Sequence, residues 1–335
     1  SMLHIDQGGH FVLLATGTDG IHVHDTYFAK HHPKNARDIY DFMACNDVTA
    51  TNIYSRVSSD DIIKPGSDCS LGFTRPAHNY MVRNIVGDTN CNLFQIGSET
   101  ADDIQDLYID HIKNVYLNSG KTGPIHSRSV MRRTRAPFFI SISNRGRVLG
   151  ANVEPFTFKE NGATRKELLV TNSNIGQVEN IIIKGVDIEE VYGGSSFRGD
   201  RWKAYDGSQN KATPIIAGFK LPDTENVDGG LTFRLPNGLH TGYIENVQFH
   251  DIDLLVKGGN PVEDAEACPP EIGVGRYNVG DLKIQPSFGF WARHVKGFIL
   301  NNCKINAESK DGRYAVILDD VIGAEINNLQ VTKGI

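Results

Sequence analysis

Three carboxylates in the first fifth of the chain, Asp38, Asp60 and Asp61, have the residue type and spacing that suit acid/base chemistry. They lie in ARDIYDFMACNDVTATNIYSRVSSDD, separated by short apolar residues. Asp38 stands 22 residues before Asp60 and 23 before Asp61. If the chain winds with one coil per twenty-odd residues, the Asp60-Asp61 pair stacks beside Asp38, about 4.8 Å away through the backbone. Carboxylates gathered like this repel and raise one another's pKa, which has little structural value and a catalytic one. The expectation is an acid/base site that cleaves sugars, with the three carboxylates converging in one exposed groove.

Positioning such a site falls to a strand phrase that recurs along the chain: GIHVHDTYF from Gly20, DVTATNIYS from Asp47, NYMVRNIVG from Asn79, DLYIDHIKN from Asp106, RVLGANVEP from Arg147, NIIIKGVDI from Asn180, NVQFHDIDL from Asn246, GFILNNCKI from Gly297 and GAEINNLQV from Gly323. Each alternates apolar and polar residues with the period of a strand. Asn or Asp precedes the last apolar residue in many of them: Asp25, Asn52, Asn84, Asn152, Asp251, Asn302 and Asn328. Such residues satisfy backbone groups where a chain turns between short strands. No long stretch has a 3.6-residue apolar period, so the repeat predicts a single parallel β-helix over residues 1–335. The Gly-, Pro- and charge-rich stretches 193–237 and 258–284 are expected to be loop excursions from it.

Composition narrows the partners. With 34 Lys+Arg against 40 Asp+Glu the net charge is -6, which gives no reason to expect nucleic acid or an anionic membrane. No apolar run approaches the roughly 20 residues of a membrane span. Five cysteines, Cys45, Cys69, Cys91, Cys268 and Cys303, form neither a CxxC metal pattern nor a dense disulfide framework, so no metal or other cofactor is expected. His31-His32 has no third ligand at useful spacing and reads as a polar loop before Pro33.

ARDIYDF followed by SSDDIIKPGS resembles the NTDxxD and DD segments of glycoside hydrolase family 28, the polygalacturonases and rhamnogalacturonan hydrolases. CNLFQIGSE from Cys91 to Glu99 is similar to the segment in which that family carries GHG and then IGSE, and PPEIGVGRYNVGDLKIQPSFGFWARHV and YAVILDDV resemble its C-terminal coils. The resemblance implies a right-handed parallel β-helix and hydrolysis with inversion. It also implies that Asp60 protonates the leaving oxygen while Asp38 and Asp61 hold and deprotonate the attacking water. Inversion needs room for that water, so acid and base should stand roughly 6.5 to 9.5 Å apart. Thr18-Asp19-Gly20 also looks like the NTDG text, but Asp19 precedes Asp60 by 41 residues, about two coils away, and reads as a turn residue.

The departures bear on substrate. Asn92 stands where the family has the His of GHG, and Ile140 to Ser143 stand where it has a basic RIK segment that grips a uronate carboxylate. Gln95 in LFQIG and Lys64 in DDIIK look like the related dextranase family. Substrate contacts are therefore expected from Asn92, Gln95 and Lys64, with Arg145 in SNRGRV compensating for the missing basic segment. Arg132, Arg133 and Arg135 read as solvated loop residues, and Tyr40, Phe73, Phe94 and Trp202 are candidate sugar-stacking aromatics. The expected substrate is a pectic or rhamnogalacturonan-like polysaccharide and the expected setting is extracellular or periplasmic. A non-catalytic carbohydrate-binding or adhesin-type β-helix is the alternative; a polysaccharide lyase would want Ca²⁺-binding carboxylates with a Lys or Arg base. Only 37 residues precede Asp38, so a partner or further segment is expected to cover the N-terminal end of the stack.

Overall fold

A computed structural model describes residues 3–5, 9–29, 38–58, 60–67, 71, 75–89, 91–100, 104–109, 129–134, 136–142, 153–160, 163–170, 177–191, 197–198, 201–202, 214–218, 226–227, 231–232, 242–271 and 282–335. They form an all-β protein dominated by parallel pairing, and the one helical element among them is a short 3-10 turn, Val262–Glu266.

Three parallel ladders run through the molecule, and the chain visits them in rotation. The first ladder stacks Phe11–Thr16, Asp38–Met43, Ile63–Gly66, Asn92–Ile96, Ala136–Ser141 and Ile215–Ala217, and then the opening halves of Ser287–Asn301 and Tyr314–Asn327. The second takes the opening halves of Asp19–Ala29, Asn46–Ser58, Ala77–Thr89, Val178–Val191 and Ile244–Gly258, with Ile104–Ile109 between the third and fourth of these and the closing halves of Ser287–Asn301 and Tyr314–Asn327 at its end. The third takes the closing halves of those same five strands together with Leu3–Ile5, Ser129–Arg133, Lys304–Ser309 and Gln330–Thr332. One core fills the space between ladders. It includes Tyr40, Phe42, Phe94, Phe138, Phe249, Phe290 and Phe298, with Phe94 and Phe138 stacked at 6.1 Å.

Six of the recurring phrases are thus bent: each serves two ladders, and the bend falls on its Asn or Asp. Asp25, Asn52, Asn84, Asp251, Asn302 and Asn328 all have φ between 51° and 65°, the left-handed region that short polar side chains tolerate best. Stacked at one corner, they bond to each other. Asn52 Nδ2 donates to Asp25 Oδ1 at 2.8 Å and Asn84 Nδ2 donates to Asn52 Oδ1, while Asn302 Nδ2 donates to Asp251 Oδ1 at 2.5 Å and Asn328 Nδ2 to Asn302 Oδ1 at 2.7 Å. Asn152 lies outside the described residues. Replacing Asn302 by Ala removes two of these bonds and leaves a Cβ-bearing residue at φ 55° with nothing to hold it there. The expected cost is about 1 to 2 kcal/mol, read as a lower denaturant midpoint, with Asn302→Gly losing less.

Two stretches differ from what the sequence predicts. RVLGANVEP reads as a stacked strand, yet Val153–Glu160 pairs antiparallel with Ala163–Val170 as a hairpin outside the parallel ladders. Conversely, Ile215–Ala217 lies within the expected excursion 193–237 but joins the first ladder between Ala136–Ser141 and Ser287–Asn301. Its three apolar residues are too few to show a period. Within 258–284, the described residues 259–271 are a loop carrying the 3-10 turn.

Candidate active site

The site is built from three tetrads of the first ladder, each on the next pass of the chain: DIYD at 38–41, DIIK at 61–64 and NLFQ at 92–95. Tyr40 pairs with Ile63 and Ile63 with Phe94, so the 23-residue interval between Asp38 and Asp61 is the register of the ladder. Tyr40, Ile63 and Phe94 fill the core, while the ends of each tetrad stack into two polar columns. Asp38, Asp61 and Asn92 form one, and Asp41, Lys64 and Gln95 the other. The flanking passes are apolar at the same places, with Phe11 and Leu14 before and Ala136 and Phe139 after. The polar array is therefore three passes deep and bounded by hydrocarbon.

Along the first column each carboxylate serves the next pass. Asp38 Oδ1 accepts the Asp61 backbone N–H at 3.1 Å, and Asp61 Oδ1 accepts both the Asn92 N–H at 3.1 Å and Asn92 Nδ2 at 2.7 Å. The Asn92 amide also reaches Gln95 Oε1 at 2.6 Å, which ties the two columns together. In the second column Lys64 Nζ lies 3.7 Å from Asp41 Oδ2 and 3.8 Å from Glu99 Oε2. Glu99 is brought there by a turn at Gly97, whose φ of 82° and close approach to the Ser141 carbonyl exclude a side chain: a Cβ would lie 1.7 Å from that oxygen. Ser98 Oγ donates to Glu99 Oε2.

These groups are buried, with Asp38 only 4% and Asp61 2% exposed. Asp38 and Asp61 lie in a closed cluster, where the sequence predicts one exposed groove holding all three carboxylates. Asp60, one residue out of register with Asp38, is half-buried, and its backbone carbonyl accepts the Thr89 hydroxyl. Burial is the main reason the carboxyls hold their protons. Asp38 is pushed up to about 6 by desolvation, with help from Asp60 and Glu99, against the pull of Lys64 and the Asp61 N–H. Desolvation takes Asp41 to about 9, Asp38, Asp61 and Glu99 adding to it, and holds Asp61 well above the carboxylate range. Burial opposes the charge of Lys64, yet Glu99, Asp41, Asp38 and Asp61 outweigh it and keep the ammonium protonated beyond its ordinary range. At neutral pH the cluster thus contains an ionised Asp38, a protonated Asp41 and a cationic Lys64.

The other expected residues are distributed as follows. Asn92, Gln95 and Lys64 join the cluster, where their polar atoms face carboxylates and each other. Arg145 lies outside the described residues, as do His31, His32, Phe73, His126 and Arg135. Tyr40 and Phe94 belong to the core. Asp19 sits apart, paired with Arg75 at 2.5 Å and accepting from Asn46 Nδ2 at 3.1 Å. Arg293 and His294 serve the opposite end of the first ladder: Arg293 bonds Asp319, and His294 lies between Asp320 at 2.7 Å and Glu271 at 2.9 Å. Cys45 and Cys303 are buried thiols in no disulfide. Half-buried Cys91 lies with Asp60 and Asp61 in a group whose ligand-type atoms are all within 4.8 Å. A cation there would compete with Asn92, which already occupies Asp61 Oδ1 twice.

Asp41 and Glu99 are the members that reading the sequence for isolated carboxylates passes over. The signal for them is in the spacing: three tetrads with polar residues at both ends, in step with the coil interval. No protein-family model, curated protein or solved structure matches the chain.

Proposed function

We propose that this chain is a right-handed parallel β-helix of the kind found in glycoside hydrolase family 28, and that it hydrolyses a polysaccharide with inversion at the Asp38, Asp60 and Asp61 cluster. The observation that carries this reading is the stacking of Asp38 and Asp61 on successive passes beside Asp41 and Lys64, where burial lifts Asp38 to about 6, Asp41 to about 9 and Asp61 well above the carboxylate range. Acid and base forms side by side at neutral pH are what bond cleavage by paired carboxyls requires. The Asp60-Asp61 pair delivers the proton to the leaving oxygen, Asp60 being the half-exposed member that a sugar can reach. Asp38 takes a proton from the attacking water. Asn92 and Gln95 orient Asp61. The substrate class we favour is pectic or rhamnogalacturonan-like, in an extracellular or periplasmic setting.

One observation favours a second reading, a non-catalytic carbohydrate-binding β-helix. Asp38 and Asp61 are almost fully covered, and each gives one oxygen, Oδ1, to a backbone N–H group of the next pass. A panel of pectic, rhamnogalacturonan and dextran substrates separates the two by release of reducing ends. On the substrate that is cut, Asp60→Asn is expected to lower turnover at least about 100-fold with an unchanged melting curve. Turnover kept by that variant removes Asp60 from the mechanism, and no sugar release from any substrate leaves the binding protein.

A further inference from the structure

At the far end of the first ladder, both nitrogens of one buried imidazole face carboxylates. His294 Nδ1 lies 2.7 Å from Asp320 Oδ2, and Nε2 lies 2.9 Å from Glu271 Oε2. Asp320 and His294 occupy stacked left-handed corners, with φ of 56° and 53°, so the backbone fixes this half of the arrangement. Glu271 comes from elsewhere, the end of the loop 259–271. Both carboxylates already serve other donors: Tyr243 Oη donates to Asp320 Oδ2 at 2.6 Å, and Arg293 Nη1 lies 3.5 Å from Glu271 Oε1. They are therefore ionised acceptors with no proton to offer. A neutral imidazole has one N–H and one bare lone pair, so it satisfies only one of them and sets its other nitrogen against an oxygen. Only the imidazolium holds both.

We propose that His294 is a pH-operated latch: as an imidazolium it joins Glu271 of the loop to Asp320 of the last long strand, and on losing a proton it lets the Glu271 end of the loop go. The Asp320 bond is the one that stays, because both of its partners stand on paired strands. The start of the loop is pinned separately, Gly312 N–H donating to the Asn260 carbonyl at 2.9 Å, so release is confined to the far end. The other charges nearby are engaged. Arg293 bonds Asp319 at 2.6 Å and the Pro269 carbonyl at 2.8 Å, and Lys296 lies over the Tyr243 ring and 3.5 Å from Glu245. Burial opposes the charge on the ring, yet the bonds to Glu271 and Asp320 outweigh it and hold the pKa above the usual 6.5. The loop is thus fastened at low pH and loosened as the pH rises through the folded value. The latch needs no sugar chemistry, but it stands on the same ladder as the acid/base cluster. Gln95, Phe139, Ile215 and Trp291 follow one another in register, which puts it three passes, about 14 Å, beyond that cluster.

Amide hydrogen exchange of the full chain, followed by mass spectrometry and corrected for the intrinsic effect of pH, tests the latch. Opening of residues 263–271 should increase at least about tenfold between pH 5.5 and pH 9, while the strand Ile244–Gly258 stays protected. Its midpoint should coincide with the titration of the His294 ring carbons read by NMR. Glu271→Gln should remove the increase, because an amide can turn either its carbonyl or its N–H to the ring and so binds both protonation states. The same variant should lower the midpoint of the ring. Exchange that is indifferent to pH in the unaltered protein overturns the proposal, as does an increase shared by every strand, which reports global unfolding. An increase that persists unchanged in Glu271→Gln also overturns it. If Glu271→Gln does not fold, the unaltered protein decides alone: exchange and ring midpoints that differ by more than about one pH unit refute the latch.

Discussion

Between pH 5 and pH 9 the protein is expected to lose stability as the pH rises, opposite to the trend of a protein whose carboxylates are held by salt bridges. Asp38 and Asp41 bind protons more tightly in the folded protein, at about 6 and about 9, than an ordinary aspartate carboxyl at 3.8. Over that window the folded state holds protons that the unfolded chain has released. Stability is therefore fully present below about pH 4, and it is lost as pH climbs through the folded values. For Asp38 the rise of about two units corresponds to roughly 3 kcal/mol, most of it gone by pH 7. Asp61 adds to the loss, and Asp41 carries it upward toward pH 9. His294 contributes in the same direction, because the carboxylates of Glu271 and Asp320 outweigh its burial and raise its pKa, so its two ion pairs weaken when the ring becomes neutral. Lys64 stays charged throughout and gives no slope. The measurement is a set of denaturant midpoints at pH 5, 7 and 9. Asp41→Asn should flatten the upper part of the decline, since the amide stands in for the protonated acid. A midpoint that rises toward pH 9 would show that these carboxyls are solvated.

The second large effect lies at the far end of the stack. Arg313 is 1% exposed and holds Asp311 with two parallel bonds, Nε to Oδ1 and Nη2 to Oδ2, both 3.0 Å. Asp311 also accepts the backbone N–H of Arg313 at 2.9 Å and that of Asn260 at 3.4 Å, so the pair pins the loop after Ile244–Gly258 to the turn before Tyr314–Asn327. Arg313→Met leaves a buried carboxylate without its counter-charge, and the expected loss is about 3 to 5 kcal/mol, read from chemical denaturation. Because the cost arises from the stranded charge, Arg313→Met combined with Asp311→Asn should lose less than the two single variants summed. Additive losses would mean that the two side chains act independently.

The fold is legible where the chain repeats itself. Asp25, Asn52, Asn84, Asp251, Asn302 and Asn328 stand out as turn residues from the amino-acid sequence alone, since a short polar side chain at a fixed place in a strand phrase has few other uses. Strands of the first ladder are harder to see. DIYDFM, IKPG and IIA are buried on both faces, so alternation, which depends on one wet face, is absent from them. The same burial explains the site. Asp38 and Asp61 are identifiable from type and interval, but a carboxylate read from sequence is pictured in water. That Lys64 faces Asp41 and Glu99 instead of a sugar depends on packing between passes. Arg293 and His294 show the converse: their partners Asp319, Asp320 and Glu271 lie 23 to 26 residues away, and only the register brings them together.

The corner columns of Asp and Asn also have a grammar. Each bond described in them runs one way, with a later amide donating to an earlier oxygen, and Asp is found only at the head of a run. Asp251 follows Gly185, which has no side chain to receive a bond, and Asp47 follows Gly20 in the neighbouring column, where Asn79 donates to it. An aspartate anywhere later would set acceptor against acceptor. Spontaneous deamidation of Asn52, Asn84, Asn302 or Asn328 makes that error, exchanging a donor for a negative charge at a strained corner. A single amide lost at that corner severs the line between the passes on either side.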